Sequence, residues 1–206
     1  MQSRSGYAGL AMAVVALLAG CAPQAEVVKL YEDTSRRQGT YKRLLVVDIS
    51  PNRNQRIDFE RELVASLRKE GVEAIPSSSH IGDSNDLMQE AIDRLGEELS
   101  ADGVLITHIA SVDTKAEVEK GREELVSTCR GGSPAEYFLY DHDILRQPDS
   151  VKFAHTVVVI SNLYEARSGT RVWTIQSTCF EKASMPEVMM EEARVIAQQL
   201  RIDELV

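Results

Sequence analysis

A short apolar run decides the fold: Leu44-Leu45-Val46-Val47-Asp48-Ile49, which the turn residues Ser50-Pro51-Asn52 bring to an end. A nearly continuous apolar run of this kind is typical of a strand that is buried on both faces of a sheet. An amphipathic pattern follows over residues 54–70, and Gly71 is well placed to end it. The sequence therefore predicts a central strand that is followed directly by a helix.

The alternation of strand and helix continues along the chain. Residues 72–75 predict a second, short strand. A helix with a wide apolar stripe is predicted to begin near Asp86, with Gln89 as its capping partner, and Asp102-Gly103 turns the chain into a third strand over residues 104–112. Strands and helices that alternate with short loops indicate right-handed crossovers and parallel pairing.

The C-terminal part predicts a hairpin and a last helix. Residues 153–164 and 171–180 are strand-like stretches that flank a turn containing Gly169. Ser184-Met185-Pro186-Glu187 is typical of a capping box with proline in the first helical turn. We therefore expect an α/β (α+β) fold, with a mixed sheet of about five strands in the order β-α-β-α-β, then a β-hairpin and a C-terminal helix.

Residues 113–150 interrupt this pattern. They begin with dense charge, continue with the loop sequence Gly131-Gly132-Ser133-Pro134, and hold the aromatic cluster Tyr137-Phe138-Leu139-Tyr140. A long segment without clear periodicity inside a compact domain is either functional or mobile. Its charge argues against a lipid-facing hairpin, which should alternate apolar and polar residues. We expect a long insertion here.

The amino terminus has the features of a secretion signal. A single charged residue, Arg4, precedes an uncharged apolar stretch that closes with Leu18-Ala19-Gly20-Cys21. This string resembles the lipobox of bacterial lipoprotein signal peptides, which combine a basic start, a short apolar core and small residues at the cut. The alternative is a membrane-spanning helix that is retained, but a span needs about 20 predominantly apolar residues. Gly20, Pro23 and Gln24 dilute this stretch.

The lipobox resemblance implies a layout and a location. Residues 1–20 are then the signal peptide, residues 21–40 are the lipidated amino terminus and a tether, and residues 41–206 are a single periplasmic α/β domain. Within the tether, Val27 to Tyr31 could instead form a local helix or pack down. Cys21 carries the lipid. In such lipoproteins an aspartate after the cysteine favours retention in the inner membrane, whereas this chain has Ala22. The resemblance therefore implies a lipid-anchored protein of the outer membrane that faces the periplasm.

Three further strings support a second resemblance, which covers residues 41–203. They are Leu44-Leu45-Val46-Val47, Ala101-Asp102-Gly103-Val104-Leu105-Ile106 and the turn sequence Tyr164-Glu165-Ala166-Arg167-Ser168-Gly169-Thr170-Arg171-Val172-Trp173. With the order of elements, they resemble the small α/β periplasmic domains related to the TolB amino-terminal domain. Similar domains occur in the curli-assembly lipoprotein family and in lipoprotein activators of penicillin-binding proteins. The resemblance implies a fold and carries over no catalytic residue.

The composition and the motifs limit the function. The formal net charge of −9 argues against nucleic acid, which needs basic patches. The chain has no Gly-x-Ser-x-Gly elbow, no phosphate-binding glycine loop and no Cys-x-x-Cys pair. We therefore expect no enzyme and no cofactor.

Two local clusters leave alternatives open. Asp141, His142 and Asp143 are the weak candidates for a metal site, although a closed site normally needs four ligands, and a solvated loop is the alternative. Cys129 and Cys179 could form a disulfide, which an oxidising periplasm permits. The alternative is two buried free thiols.

These observations favour a non-catalytic binding or assembly module of the cell envelope. Tyr137 and Tyr140 are candidate partner-binding residues, since tyrosine is enriched at interfaces. The expected partners are the membrane, through the anchor on Cys21, and an envelope protein, while the oligomeric state stays open. The alternative function is a metal- or small-ligand-binding periplasmic lipoprotein.

Overall fold

A computed structural model describes residues 25–33, 35, 39–82, 87–121, 123–129, 140–146 and 148–206, with 123–129 and 140–146 described as backbone. The strands are β1 (Ala25–Glu32), β2 (Arg43–Asp48), β3 (Glu73–Pro76), β4 (Gly103–Glu119), β5 (Glu123–Cys129), β6 (Tyr140–Arg146), β7 (Ser150–Glu165) and β8 (Arg171–Lys182). The helices are α1 (Arg53–Lys69), α2 (Gln89–Glu98) and α3 (Met185–Ile202).

The predicted mixed sheet is confirmed, with six strands rather than about five, in the order β1-β8-β7-β4-β2-β3. Strand β2 pairs parallel with β3 and β4, as the strand–helix alternation predicts, and the remaining neighbours pair antiparallel. Helices α1 and α3 cover one face, over a core that includes Leu44, Leu105 and Trp173. Helix α2 covers β2 and β4 on the other face, where Val47 and Ile92 are buried.

The predicted tether is wrong over residues 25–32, which form β1. This strand pairs with β8 from Ala25, opposite Cys179, to Glu32, opposite Trp173. Without β1, strand β8 would expose a full row of unpaired backbone groups at the sheet edge, and β1 satisfies them. Four positions in the sequence separate Cys21 from the first residue of this strand.

The predicted insertion consists largely of paired strands. Strands β4 and β7 stay paired far beyond the body of the sheet, as far as Glu119 opposite Ser150. Strands β5 and β6 then pair from Glu123 opposite Arg146 to Cys129 opposite Tyr140. Among the described residues, the segment thus consists of two successive pairs of antiparallel strands.

The helix ends follow the sequence signals in part. Asn52 caps α1, and its Oδ1 accepts hydrogen bonds from the backbone nitrogens of Asn54 and Gln55 at 3.0 and 3.2 Å. Ser184 occupies the N-cap of α3, but its side chain makes no capping hydrogen bond, so the predicted capping box is wrong in this respect. None of the helices in the described ranges is long and apolar enough to cross a bilayer.

Candidate functional site

The most unusual surface of the molecule is the part of the hairpin that leaves the sheet body, residues 112–119 of β4 and 150–157 of β7, here called the arm. Its side chains alternate strictly along both strands. One face carries mostly apolar residues: Val112, Thr114, Ala116, Val118, Val151, Phe153, His155 and Val157. The other face carries most of the charge: Asp113, Lys115, Glu117, Glu119 and Lys152, with Ser150, Ala154 and Thr156.

The apolar face of the arm continues the core face of the sheet. Val112 pairs with Val157, which is fully buried beneath the helices. The register shifts between Ile109 and Ser111, and this irregularity brings Val112 to the same face as Val157. Apart from Val157, the apolar side chains of the arm lie outside the core that α1 and α3 cover.

Four apolar residues of the arm are largely exposed to solvent. The side chains of Val112, Val118, Val151 and Phe153 are 49, 62, 53 and 51 % exposed. We call these four residues the apolar strip. Contiguous exposed apolar residues rimmed by charge mark surfaces that contact a partner or a membrane.

Few side-chain contacts hold the arm together. On the apolar face, His155 Nδ1 and Thr114 Oγ1 share a hydrogen bond of 2.9 Å. The His155 ring stacks on the ring of Phe153, with 6.4 Å between the two ring centroids. On the charged face, Lys152 Nζ lies 2.7 Å from Glu119 Oε2, and this hydrogen bond raises the pKa of Lys152. Exposed ion pairs contribute little stability, so the backbone ladder is the main support of the arm.

A second polar feature lies inside the domain, at the carboxyl end of β2. Glu60 of α1 is fully buried and accepts hydrogen bonds from the Asp48 nitrogen at 3.0 Å, from Ser77 Oγ at 2.7 Å and from the Ser78 nitrogen at 2.7 Å. Arg56 Nε lies 3.3 Å from the same carboxylate. These bonds tie the end of β2 to α1 and to the turn after β3, which is a structural role.

Two buried acids line a small cavity next to this network. The cavity has a volume of about 20 Å³, and its polar lining residues are Asp48, Ser50, Gln55 and Glu192. A water molecule needs about 10–15 Å³, so the cavity has room for water but none for an organic substrate. Glu192 Oε2 accepts a hydrogen bond from Ser177 Oγ, while Glu192 Oε1 has no partner among the described residues.

Burial sets the charge state of both acids. Burial raises the pKa of Asp48 to about 7, against a hydrogen bond from Thr107, which lowers it. Burial likewise raises the pKa of Glu192 to about 7, although the hydrogen bond from Ser177 favours the charged form. Because the cavity admits no substrate, we relate these acids to stability and its pH dependence.

The structure places the predicted site residues unevenly. Cys21 and Tyr137 lie outside the described residues. Asp141, His142 and Asp143 are consecutive in β6, where a loop was expected, and their side chains lie outside the described parts, so the metal hypothesis stays a prediction. Among the described side chains, no three His, Cys, Asp or Glu residues are grouped so that they could hold a metal ion.

The remaining predicted residues are Tyr140 and the two cysteines. Tyr140 begins β6, opposite Cys129 at the end of β5, and both are described as backbone. Cys179 is a fully buried free thiol, which fits the alternative of a small core residue. Burial raises its pKa to about 11. Its pairing with Cys129 stays a prediction.

Sequence reasoning missed the apolar strip and Glu192, although both leave a signal. Residues 112–119 read Val-Asp-Thr-Lys-Ala-Glu-Val-Glu, which is a strict period of two partly hidden by charge. Glu192 lies three residues after Met189 and four before Ile196, on the apolar face of α3. A charged residue at such a position predicts a buried acid.

Comparisons with known proteins give likenesses at low identity. No family model matches the chain, and no curated protein matches it. The chain is similar to the PelC dodecamer structure from Paraburkholderia phytofirmans, at 13 % identity and a TM-score of 0.46, covering 85 % of this chain and 96 % of that one. It is also similar to lipoprotein GNA1162 from Neisseria meningitidis, at 16 % identity and a TM-score of 0.43, covering 78 % and 99 %. These likenesses assign no function to the chain.

Proposed function

We propose that the chain is a lipid-anchored, non-catalytic binding or assembly module of the cell envelope. The observation that carries this proposal is the arm, with its uncovered apolar strip. Apart from Val157, the arm adds nothing to the buried core, since its other side chains are exposed or half-exposed. A fold that extends two strands into solvent and leaves apolar side chains uncovered on them has a surface made for contact.

The anchor gives this surface a location. The lipobox resemblance implies lipid on Cys21, and Ala22 implies sorting to the outer membrane, facing the periplasm. The first described strand begins at Ala25. An anchored domain with so short a connection works at one membrane surface, where it meets envelope proteins that are confined to the same layer.

The proposed contact with an envelope protein lies beyond the arm, at the β5–β6 strand pair. Tyr140 begins β6, and Tyr137 precedes it by three residues in the sequence. Tyrosine offers a large contact area at a low entropic cost. Hairpin strands also have edges that can accept a strand from a partner.

Site-specific cross-linking tests this proposal. A photo-crosslinking amino acid replaces Tyr140 in the full chain, expressed in a bacterial envelope, and the matched control carries it at Ile202, which is 70 % exposed at the end of α3. We expect discrete protein adducts from position 140, and their loss when Tyr137→Ala is added. If both positions give the same adducts, or if position 140 gives none while the protein is folded, the proposed partner surface is wrong.

Labelling with a fatty-acid analogue tests the anchor separately. The wild-type chain should incorporate the label, and the Cys21→Ala variant should not. Equal labelling of both would contradict lipidation at this residue.

A further inference from the structure

We infer that the apolar strip of the arm rests against the lipid bilayer that holds the anchor. This inference deepens the proposed function and depends on the proposed lipid at Cys21. It assigns the arm to the membrane surface, while the β5–β6 strand pair, where Tyr140 lies, is left for a protein partner.

The anchor and the arm leave the sheet at the same end. Ala25 of β1 lies opposite Cys179 of β8, Cys179 lies opposite Val157 of β7, and Val157 lies opposite Val112 of β4. These four residues form one row across the sheet, and neighbouring strands lie about 4.8 Å apart. The first residue of β1 and the first residue of the arm are therefore separated by only about 14 Å.

The directions of the strands also agree. From the row, β1 runs towards Glu32, in the direction opposite to the arm. The chain therefore enters Ala25 from the side of the row on which the arm lies. Cys21 lies four residues before Ala25. A fully extended chain spans at most about 3.6 Å per residue, so Cys21 can lie no more than about 14 Å beyond the row.

The arm is longer than this connection. From Val112 to Glu119 it advances seven residues, which at about 3.3 Å per residue amounts to roughly 23 Å beyond the same row. A membrane that holds the lipid on Cys21 lies closer to the sheet than the tip of the arm does. An arm pointing straight at the membrane would have to enter it, so the anchored domain tilts. Helices α1 and α3 lie on the same face as the strip and are about 10 Å thick, so the arm slopes towards the bilayer and meets it first at its far part, where Val118, Val151 and Phe153 lie.

The chemistry of the two faces selects which side meets the lipid. The apolar strip loses unfavourable contact with water when it is buried among acyl chains. The opposite face carries Glu119 and Lys152 as a pair, together with Asp113 and Glu117, and these groups stay in water. Open strand edges keep their backbone groups hydrated, so the strip should rest at the boundary between the headgroups and the acyl chains, with its side chains in contact with the upper acyl chains.

Quenching by brominated lipid tests the inference. The full lipidated chain is reconstituted into vesicles of phosphatidylethanolamine and phosphatidylglycerol with brominated acyl chains, as three proteins: the wild type, Phe153→Trp and Ile202→Trp. Residues 153 and 202 are both exposed apolar positions, and Trp173 is buried in all three proteins. We expect two results for Phe153→Trp alone. Its indole emission shifts to shorter wavelength in vesicles, and the emission is lost when the acyl chains are brominated.

The outcomes separate the inference from the proposed function. Fatty-acid labelling without quenching of Phe153→Trp overturns the inference and leaves the anchored module intact. Equal quenching of both variants also overturns it, because the contact is then not specific to the strip. Absence of labelling overturns both. A cross-link from position 153 to a protein or to a second copy of the chain, in place of lipid, overturns the inference in favour of a protein interface.

Discussion

Replacing Glu192 with glutamine should make the protein more stable at neutral and alkaline pH. The carboxyl group is fully buried, and burial raises its pKa to about 7, from an ordinary value of 4.5. Between these values the folded state binds a proton that the unfolded chain releases, so stability falls as the pH rises and levels off above the folded pKa. At ~1.4 kcal/mol for each tenfold change in proton affinity, the full loss is about 3 kcal/mol.

Urea unfolding, followed by circular dichroism between about pH 5 and pH 8, measures this effect. Over that interval the wild type should lose about 2–3 kcal/mol more stability than Glu192→Gln, because most of the titration lies inside it. Glutamine keeps an acceptor for the hydroxyl of Ser177 and cannot ionise. The matched control is Glu187→Gln, since Glu187 lies exposed on the same helix and should behave as the wild type.

Asp48 titrates in the same sense and lines the same cavity, so it contributes to the slope of both proteins and cancels in their difference. If the stability curves of the wild type and Glu192→Gln run parallel across the interval, then Glu192 is either charged in the fold or reached by water. Either result would refute the link drawn between its burial and the stability of the domain.

Three further substitutions test other contacts. Asp203→Ala should cost about 1–3 kcal/mol in urea unfolding, because it leaves the indole nitrogen of Trp173, now bonded at 2.7 Å, without its acceptor. Gly103→Ala should lower the thermal midpoint at a cost of about 1–3 kcal/mol, because the new Cβ would lie 2.8 Å from Leu44 Cδ2. Phe153→Asp should change the free energy of unfolding by less than about 0.5 kcal/mol, since this side chain lies on the arm outside the core; a larger loss would show that the arm supports the fold.

The sequence predicts the body of the domain well because its elements carry strong periodic signals. The apolar run at residues 44–49 is β2, and the helix predicted over residues 54–70 is α1, shifted by one residue. On β8, Trp173, Ile175 and Cys179 are buried as their shared face predicts. In these elements, burial against a packed layer and local periodicity agree, so one pattern reports both.

The sequence predicts β1 and the arm poorly because tertiary pairing decides them. In β1 only Val27 packs against the main core, so the apolar pattern of this strand is weak, and its hydrogen bonds to β8 decide its place. In the arm, charged residues at alternate positions hide the period of two. The buried acids are harder to predict for another reason: each is a single charged residue within an apolar pattern, Asp48 in the run at residues 44–49 and Glu192 in the apolar stripe of α3.

Strand β1 determines what the anchor can do. Paired to β8, it fixes the start of the domain four residues from Cys21, and if Cys21 carries the proposed lipid, this pairing orients the arm relative to the membrane. Its far end is held by Lys29, whose Nζ lies 2.5 Å from Asp203 Oδ1, while Trp173 donates to the other oxygen of the same carboxylate. The hydrogen bonds to Asp203 and Glu32 raise the pKa of Lys29, which keeps it charged.

If β1 detached, about 22 residues would separate Cys21 from β2, and an extended chain of that length reaches roughly 70–80 Å. The domain would then be tethered loosely, and the apolar strip would lose its enforced contact with the bilayer. Lys29→Met together with Asp203→Ala should therefore reduce the quenching of Phe153→Trp by brominated lipid while leaving fatty-acid labelling of Cys21 unchanged. Undiminished quenching in that variant, after hydrogen exchange has shown that β1 has opened, would mean that the strip holds to lipid by its own affinity and that β1 does not position it.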